Sequence, residues 1–237
     1  METKKAIDQL EKNFDDLVLH AQDDMISNKV DVRHLRHSIT RLPGDLKDEH
    51  EQFLKEEKEE IRKAEKVEDV FLTADDYWDF LNYSLLQHLI DRHATDKIKD
   101  EMEEHDHQIK VFRKETFLCT FSKAYKRKPK QVDRKFREMV TEHDIDWSVA
   151  TLEVVEQFRN CVCSELSLRK FCLQLAAVTL GSLVITWLVS ASLVAYIEKA
   201  IKFNSQCLRI YHVSHVTVDG RIVYDGSAGT CVCYNKP

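Results

Sequence analysis

Residues 77–90, Tyr-Trp-Asp-Phe-Leu-Asn-Tyr-Ser-Leu-Leu-Gln-His-Leu-Ile, form the most aromatic stretch of this 237-residue chain. Val70 and Phe71 precede them, and together these side chains put apolar groups on nearly every face of a helix. That pattern is typical of a helix buried on most sides. We therefore expect residues 70–90 to lie at the centre of the core.

The chain around this stretch is poor in the residues that tight turns require. It contains 5 glycines and 3 prolines, and between Asp45 and Leu180 there is no glycine and only Pro129. β-sandwiches, propellers and doubly wound nucleotide folds need many such turns. The sequence therefore predicts a mainly helical bundle of about eight helices with a small C-terminal β element, strand 183–189 and hairpin 216–224.

The helices are predicted from apolar residues that recur every three or four positions. One of them carries Val132, Phe136, Met139 and Val140, and Ser167 caps another that continues through Phe171, Leu173 and Leu175. The strand is predicted from a β-branched run after Gly181-Ser182. The hairpin is predicted from Asp219-Gly220 between alternating apolar residues, which favours a type I′ turn.

Composition divides the chain into four predicted parts. Residues 1–66 are N-terminal helices, and 67–180 are the aromatic-rich helical core. Residues 181–225 complete that core, and 226–237 form a flexible tail. Within the first part, helix 45–66 interleaves Glu and Lys in a way that is typical of coiled coils. Because only about two heptads are apolar, a solvated amphipathic helix is the preferred interpretation.

Charge and cysteine content predict a cytoplasmic protein. The chain has 35 basic and 41 acidic side chains, a net charge of −6, whereas nucleic-acid binders usually carry a strong basic excess. The N-terminal residues lack the apolar run of a secretory signal. Seven cysteines, several within apolar helical patterns, favour reduced thiols over a disulfide framework.

Residues 171–197 carry no charged side chain, and a membrane span needs about 20 apolar residues. However, Gly181-Ser182 interrupts the run, and residues 191–203 have an amphipathic pattern that a lipid-embedded helix does not need. Basic residues flank both ends, so neither orientation is favoured. A buried helix–turn–strand–helix is the preferred interpretation, and a single-pass membrane protein with 171–197 as its span is the alternative.

The 11 histidines raise the question of a metal site. His34 and His37 lie one helical turn apart, and His105 and His107 lie among Glu103, Glu104 and Asp106. No HExxH motif occurs, and we interpret the 103–107 cluster as a solvated helix face. His88 and His93 do not share a helix face, and His212 and His215 flank a strand end without indicating a role. No metal or cofactor is expected.

The cysteine and lysine clusters do not indicate a functional site more strongly than the histidines do. Cys161 and Cys163 point about 160° apart on a helix, so buried thiols are preferred over a ligand pair. Cys119 and Cys172 have the pattern of small core residues. Cys231 and Cys233 leave a redox or metal role open. The basic segment Lys123, Tyr125, Lys126, Arg127, Lys128 and Lys130 fits either a phosphate or targeting patch or, in the preferred interpretation, a solvated loop.

Four segments together resemble a recurring helical module: residues 77–90, Ile-Lys-Val-Phe-Arg-Lys-Glu-Thr at 109–116, Val-Ile-Thr-Trp-Leu-Val at 184–189, and Val-Thr-Val-Asp-Gly-Arg-Ile-Val-Tyr at 216–224. The module occurs in uncharacterised sponge, cnidarian and other invertebrate proteins, beside death-fold and NACHT-type signalling domains. The resemblance spans roughly residues 30–225. It implies a cytosolic interaction module in innate-immune or cell-death signalling, and it carries no catalytic residue.

These observations predict a non-enzymatic protein–protein interaction module. Its partners are other proteins, and helices 3–27 and 45–66 are the candidate surfaces for self-association. There is no glycine-rich phosphate loop and no GxSxG motif, and nothing nominates a nucleophile with its base. A metal-dependent enzyme is the least favoured alternative.

Overall fold

The structure is a computed structural model that describes residues 2–40, 59, 61–127, 136–144, 150–166, 168, 170–179, 183–203 and 206–226. The chain forms two compact units, Met1–Phe112 and Arg113–Pro237. Most of the predicted helix 45–66, the Gly181-Ser182 break and the tail after Gly226 lie outside the described residues. The four-part layout inferred from composition stays a prediction.

The described part of the first unit is mainly helical. Its elements are α1 (Glu2–Ser27), α2 (Val32–Thr40), α3 (Val67–Ala74), α4 (Ser84–His93) and α5 (Asp96–Glu115), of which the last three residues belong to the second unit. The apolar side chains of α1 repeat every three or four residues and are buried. They are Ile7, Leu10, Phe14, Leu17, Ala21 and Met25.

The aromatic stretch is buried as predicted, but it does not form one continuous helix. After α3 comes a single 3-10 turn, Asp75–Tyr77, and α4 begins only at Ser84. In the loop between them, the Asp79 carboxylate accepts hydrogen bonds from the backbone N–H groups of Leu81 and Asn82, each at 2.8 Å. This Asx-type turn satisfies the loop backbone locally, so Trp78 and Phe80 stay about 1–2% exposed without helical hydrogen bonds.

The second unit is built on a five-stranded antiparallel sheet with strand order β2-β3-β1-β4-β5. The strands are β1 (Phe136–His143), β2 (Leu173–Thr179), β3 (Leu183–Ser190), β4 (Val213–Val218) and β5 (Arg221–Asp225). The described helices of this unit are α6 (Leu118–Ala124), α7 (Leu152–Glu165), α8 (Val194–Phe203) and α9 (Gln206–Ile210).

The predicted fold class, mainly helical with a small C-terminal β element, is therefore wrong. Strand β1 replaces the helix predicted through Phe136 and Met139, and its eight residues pair with β3 from Phe136–Ser190 to His143–Leu183. The spacing of Phe136 and Met139 fits a helix, but Met139, Thr141 and His143 also alternate, and all three are buried. The sequence fits both helical spacing and the alternation of a strand, and pairing with the distant strand β3 decides between them.

Strand β2 likewise replaces the helix predicted after Ser167, so the uncharged run 171–197 contains two paired strands. The run begins in the 3-10 turn Lys170–Cys172, continues through β2 and β3, and ends in the turn Ala191–Leu193 and the first residues of α8. No helix among the described residues is both long enough and apolar enough to cross a bilayer.

The hairpin between β4 and β5 has a two-residue turn, and Val218 pairs with Arg221 across it. Asp219 and Gly220 both have positive φ, 49° and 73°. A type I′ turn requires this conformation at both central residues, and glycine adopts it without a steric penalty. The hairpin predicted from Asp219-Gly220 is present as one edge of the larger sheet.

Candidate functional site

A groove of about 420 Å³ lies between α1 and α5 in the first unit. Six titratable side chains line it: Asp16 and His20 from α1, and Asp100, Glu101, Glu104 and His105 from α5. Among the described residues that form its walls, four are carboxylates and none is Lys or Arg. At neutral pH the groove is therefore a concave surface of negative charge.

Helical geometry explains how these side chains reach the groove. Asp16 and His20 are four residues apart on α1, beside its buried stripe, and Asp100 and Glu104 have the same spacing on α5. The His20 Nδ1 atom lies 2.9 Å from Glu101 Oε2, and this contact joins the two helices. Sequence reasoning did not find the groove because its walls come from segments about 80 residues apart.

His105 forms part of the floor of the groove and is 4% exposed, so the prediction that the whole 103–107 cluster is solvated is wrong for this residue. Its Nε2 atom donates a hydrogen bond to the Phe80 carbonyl oxygen at 3.1 Å, and its ring packs between Phe14 and Tyr83. The sequence does contain a pattern that indicates the burial of His105. The buried positions of α5 step by three or four residues through His105: Ile98, Met102, His105, Ile109 and Phe112.

The other histidines are not brought together as a metal site. Across the described residues, no group of three or more His, Cys, Asp or Glu side chains is arranged to hold a metal ion. His215 on β4 lies between two carboxylates of the neighbouring strands, 3.6 Å from Glu142 and 3.4 Å from Asp225. These three side chains form a cross-strand row of polar contacts on neighbouring strands of the sheet.

One serine–histidine contact has the distance of a catalytic dyad. Ser38 Oγ on α2 lies 2.7 Å from His93 Nε2 at the end of α4. Burial lowers the pKa of His93, and the charges of His34, Arg92 and His88 lower it further. Ser38 is only 3% exposed and lies within a regular helix, so a substrate cannot reach its hydroxyl. We interpret the pair as a satisfied buried hydroxyl rather than a nucleophile with its base.

Two cysteines form a disulfide, which corrects the expectation that all thiols are reduced. Cys161 of α7 is bonded to Cys207 of α9, with their Cα atoms 6.0 Å apart. Cys119, Cys163 and Cys172 remain thiols, and burial raises the pKa of Cys163 to about 11. Cys231 and Cys233 lie outside the described residues. The spacing of the cysteines in the sequence did not indicate this pairing.

The described part of the basic segment borders the sheet. The Arg127 backbone N–H donates to the Ala176 carbonyl oxygen at 2.9 Å, and the Arg127 guanidinium donates to Gln174. Tyr125 Oη lies 3.4 Å from the Leu175 carbonyl oxygen. Residues 125–127 therefore follow the edge of β2, while Lys128 and Lys130 lie outside the described residues. The interpretation as a solvated loop stays a prediction for these two lysines.

A chain of buried hydrogen bonds crosses the core of the second unit. Trp187 Nε1 donates to Thr141 Oγ1 at 3.1 Å, Thr141 Oγ1 lies 3.0 Å from His143 Nε2, and His143 Nδ1 lies 2.9 Å from the Tyr211 carbonyl oxygen. Because a carbonyl only accepts, the proton is assigned to Nδ1, and Nε2 accepts from the hydroxyl. Burial lowers the pKa of His143 to about 4, so the ring is neutral at physiological pH.

A half-buried carboxylate lies at the centre of a second cluster in this unit. Glu156 on α7 lies 2.5 Å from Arg159, 3.5 Å from Arg113 and 3.7 Å from Lys170. Burial alone would raise the pKa of Glu156. The nearby positive charges, Arg159 first and then Arg113, lower the pKa by more than burial raises it. The pKa of Glu156 therefore lies below its ordinary value.

Comparison of the chain with protein-family models, with curated proteins and with solved structures finds no match in any of the three. The functional interpretation therefore rests on the geometry of the described residues.

Proposed function

We propose that this chain is a protein–protein interaction module whose α1–α5 groove binds a basic segment of a partner protein. The observation that carries the proposal is the groove itself, with four carboxylates and no Lys or Arg among its described lining residues. A partner segment rich in lysine or arginine supplies the complementary charge, which increases the association rate and disfavours acidic partners.

The charge of the first unit supports the same proposal. Residues 1–112 contain 17 basic and 29 acidic side chains, a net charge of −12. A surface potential of this sign attracts basic segments over about 10 Å at 0.1 M salt. Because the resemblance noted above implies innate-immune or cell-death signalling, we propose that pathway class for the partner. Self-association through helix 3–27 remains a prediction that light scattering tests.

The proposal is tested by the fluorescence anisotropy of a labelled 12-residue peptide that alternates lysine and alanine. We expect the full chain to bind it, and the double substitution Asp100→Asn with Glu104→Gln to weaken binding about tenfold, or about 1.4 kcal/mol. Raising the salt concentration to 0.5 M should weaken binding to the unsubstituted chain by a similar factor.

The matched control removes the same charge outside the groove. Glu68→Gln with Glu103→Gln changes two exposed side chains of the same unit. We expect it to weaken binding less than about threefold, because screened charges outside the contact add little. Equal losses for the two double variants would indicate attraction to net charge alone and would contradict a groove site.

A further inference from the structure

The single disulfide among the described residues joins two helices of the second unit that precede and follow strands β2 and β3 in the sequence. Cys161 lies on α7 and Cys207 on α9, 46 residues apart, and the segment between them contains β2, β3 and α8. All seven cysteines of the chain fall in the second unit, and the first unit has none. Any thiol chemistry of this protein is therefore confined to residues after Arg113.

Helix α9 is held by the disulfide, by one hydrogen bond and by its buried side chains Cys207 and Leu208. It has five residues, which is too few for a stable isolated helix. Besides the disulfide, the Cys207 backbone N–H donates to Glu165 Oε1 at 3.0 Å, so two adjacent links hold α9 to α7. The turn that follows α9 supplies the Tyr211 carbonyl oxygen to His143, and the His212 carbonyl oxygen accepts from the Asp144 N–H at 2.8 Å.

The two bonded cysteines differ in exposure. Cys161 is partly exposed, whereas Cys207 is 1% exposed, so the approach to the bond from solvent is over Cys161. Cys163 lies two residues away, but burial raises the pKa of its thiol to about 11, which leaves little thiolate for exchange within the protein. Net reduction of the bond consumes two electrons, which an external dithiol supplies.

We propose that the Cys161–Cys207 disulfide is a redox-controlled tether, which a dithiol reductant opens and which thereby releases α9 from α7. One thiolate of the dithiol attacks Cys161 Sγ, the S–S bond breaks, and Cys207 leaves as a thiolate that takes up a proton. The second thiol of the reductant then displaces Cys161 and closes a cyclic disulfide. Two electrons and two protons pass from the dithiol to the protein.

Hydrogen exchange with mass spectrometry tests the proposal on the full chain before and after treatment with dithiothreitol at neutral pH. We expect two additional titratable thiols after reduction. Amide exchange in residues 206–212 should become at least about tenfold faster, because a local opening then costs less free energy. Helix α1, in the cysteine-free unit, should exchange at an unchanged rate and serves as the internal control.

Two variants complete the test. Cys161→Ser with Cys207→Ser should exchange in residues 206–212 like the reduced chain, and Cys119→Ser should respond to dithiothreitol like the unsubstituted chain. If the double variant does not fold, amide exchange of the unsubstituted chain before and after reduction still tests the proposal. Three results would overturn the proposal: two unbonded cysteines before reduction, a bond that resists dithiothreitol in the folded chain, or reduction without faster exchange in residues 206–212.

Discussion

The two units of this chain obtain stability in different ways. In the first, long amphipathic helices bury apolar stripes, and the unit has a net charge of −12 and no cysteine. The second pairs five strands from distant parts of the chain and contains all seven cysteines. It has 18 basic and 12 acidic side chains, a net charge of +6. The comparison shows that the first unit relies on the periodic burial of apolar side chains along its helices, whereas the second depends on strand pairing between segments that are distant in the sequence.

The largest expected effect is the loss of the Glu156 carboxylate. Replacement of Glu156 by Gln leaves the buried Arg159 and the half-buried Arg113 without this counter-charge, which should lower the unfolding free energy by about 3 kcal/mol. Urea unfolding at pH 7 measures the change. Hydrogen exchange in α1 should stay the same, and an equal loss there would show that the two units unfold together.

The control for this substitution lies one turn earlier on the same helix. Glu153→Gln removes the same charge from α7 at a position outside the cluster of Glu156, Arg159, Arg113 and Lys170. We expect it to change the unfolding free energy by less than about 0.5 kcal/mol, as is usual for surface substitutions.

Acid should destabilise the second unit through His143. Its folded-state pKa is about 4 and its ordinary value is 6.5, so the unfolded chain binds the proton first. The contribution of this pKa difference to the free energy of unfolding is fully present above pH 6.5. It is lost as the pH falls toward 4, by up to about 3 kcal/mol. Unfolding titrations at pH 7.5, 5.5 and 4.5 should show this loss.

Replacement of His143 by Asn separates this effect from general acid denaturation. The shorter amide cannot take up a proton in this range, so the stability loss between pH 6.5 and 4 should become smaller than in the unsubstituted chain. An unchanged pH dependence would assign the acid sensitivity to other groups.

The smallest expected effect is in the first unit. The Asp24 carboxylate accepts hydrogen bonds from the Thr95 backbone N–H at 2.9 Å and from its hydroxyl at 2.8 Å, just before α5 begins. Asp24→Ala should cost about 1 kcal/mol, as the loss of a helix-terminal acceptor does, and chemical denaturation measures this. Asp23→Ala, at the neighbouring position, serves as the control. A loss from Asp24→Ala much larger than 1 kcal/mol would mean that polar links matter as much in this unit as in the second.

Prediction from sequence succeeded where contacts are local. The predicted helix 3–27 is present as α1, and Asp219-Gly220 indicated a turn that is present. It failed for β1 because Phe136 and Met139 have helical spacing while Met139, Thr141 and His143 alternate as in a strand, and the partner strand β3 lies about 50 residues later. The candidate groove was not predicted for a similar reason. Its walls come from two distant helices, and neither Asp16 nor Glu104 is unusual on its own helix.

The order of residues is enough to show which segments are amphipathic, where the chain can turn tightly, and that all cysteines lie in the C-terminal half. Folding in three dimensions makes Leu173–Thr179 a strand, joins Cys161 to Cys207, and brings four carboxylates into one groove. Local patterns record the preference of each segment, whereas pairing depends on which distant segments bury each other's surface. In α1 those two requirements agree, whereas in β1 and β2 the sheet overrides the local preference.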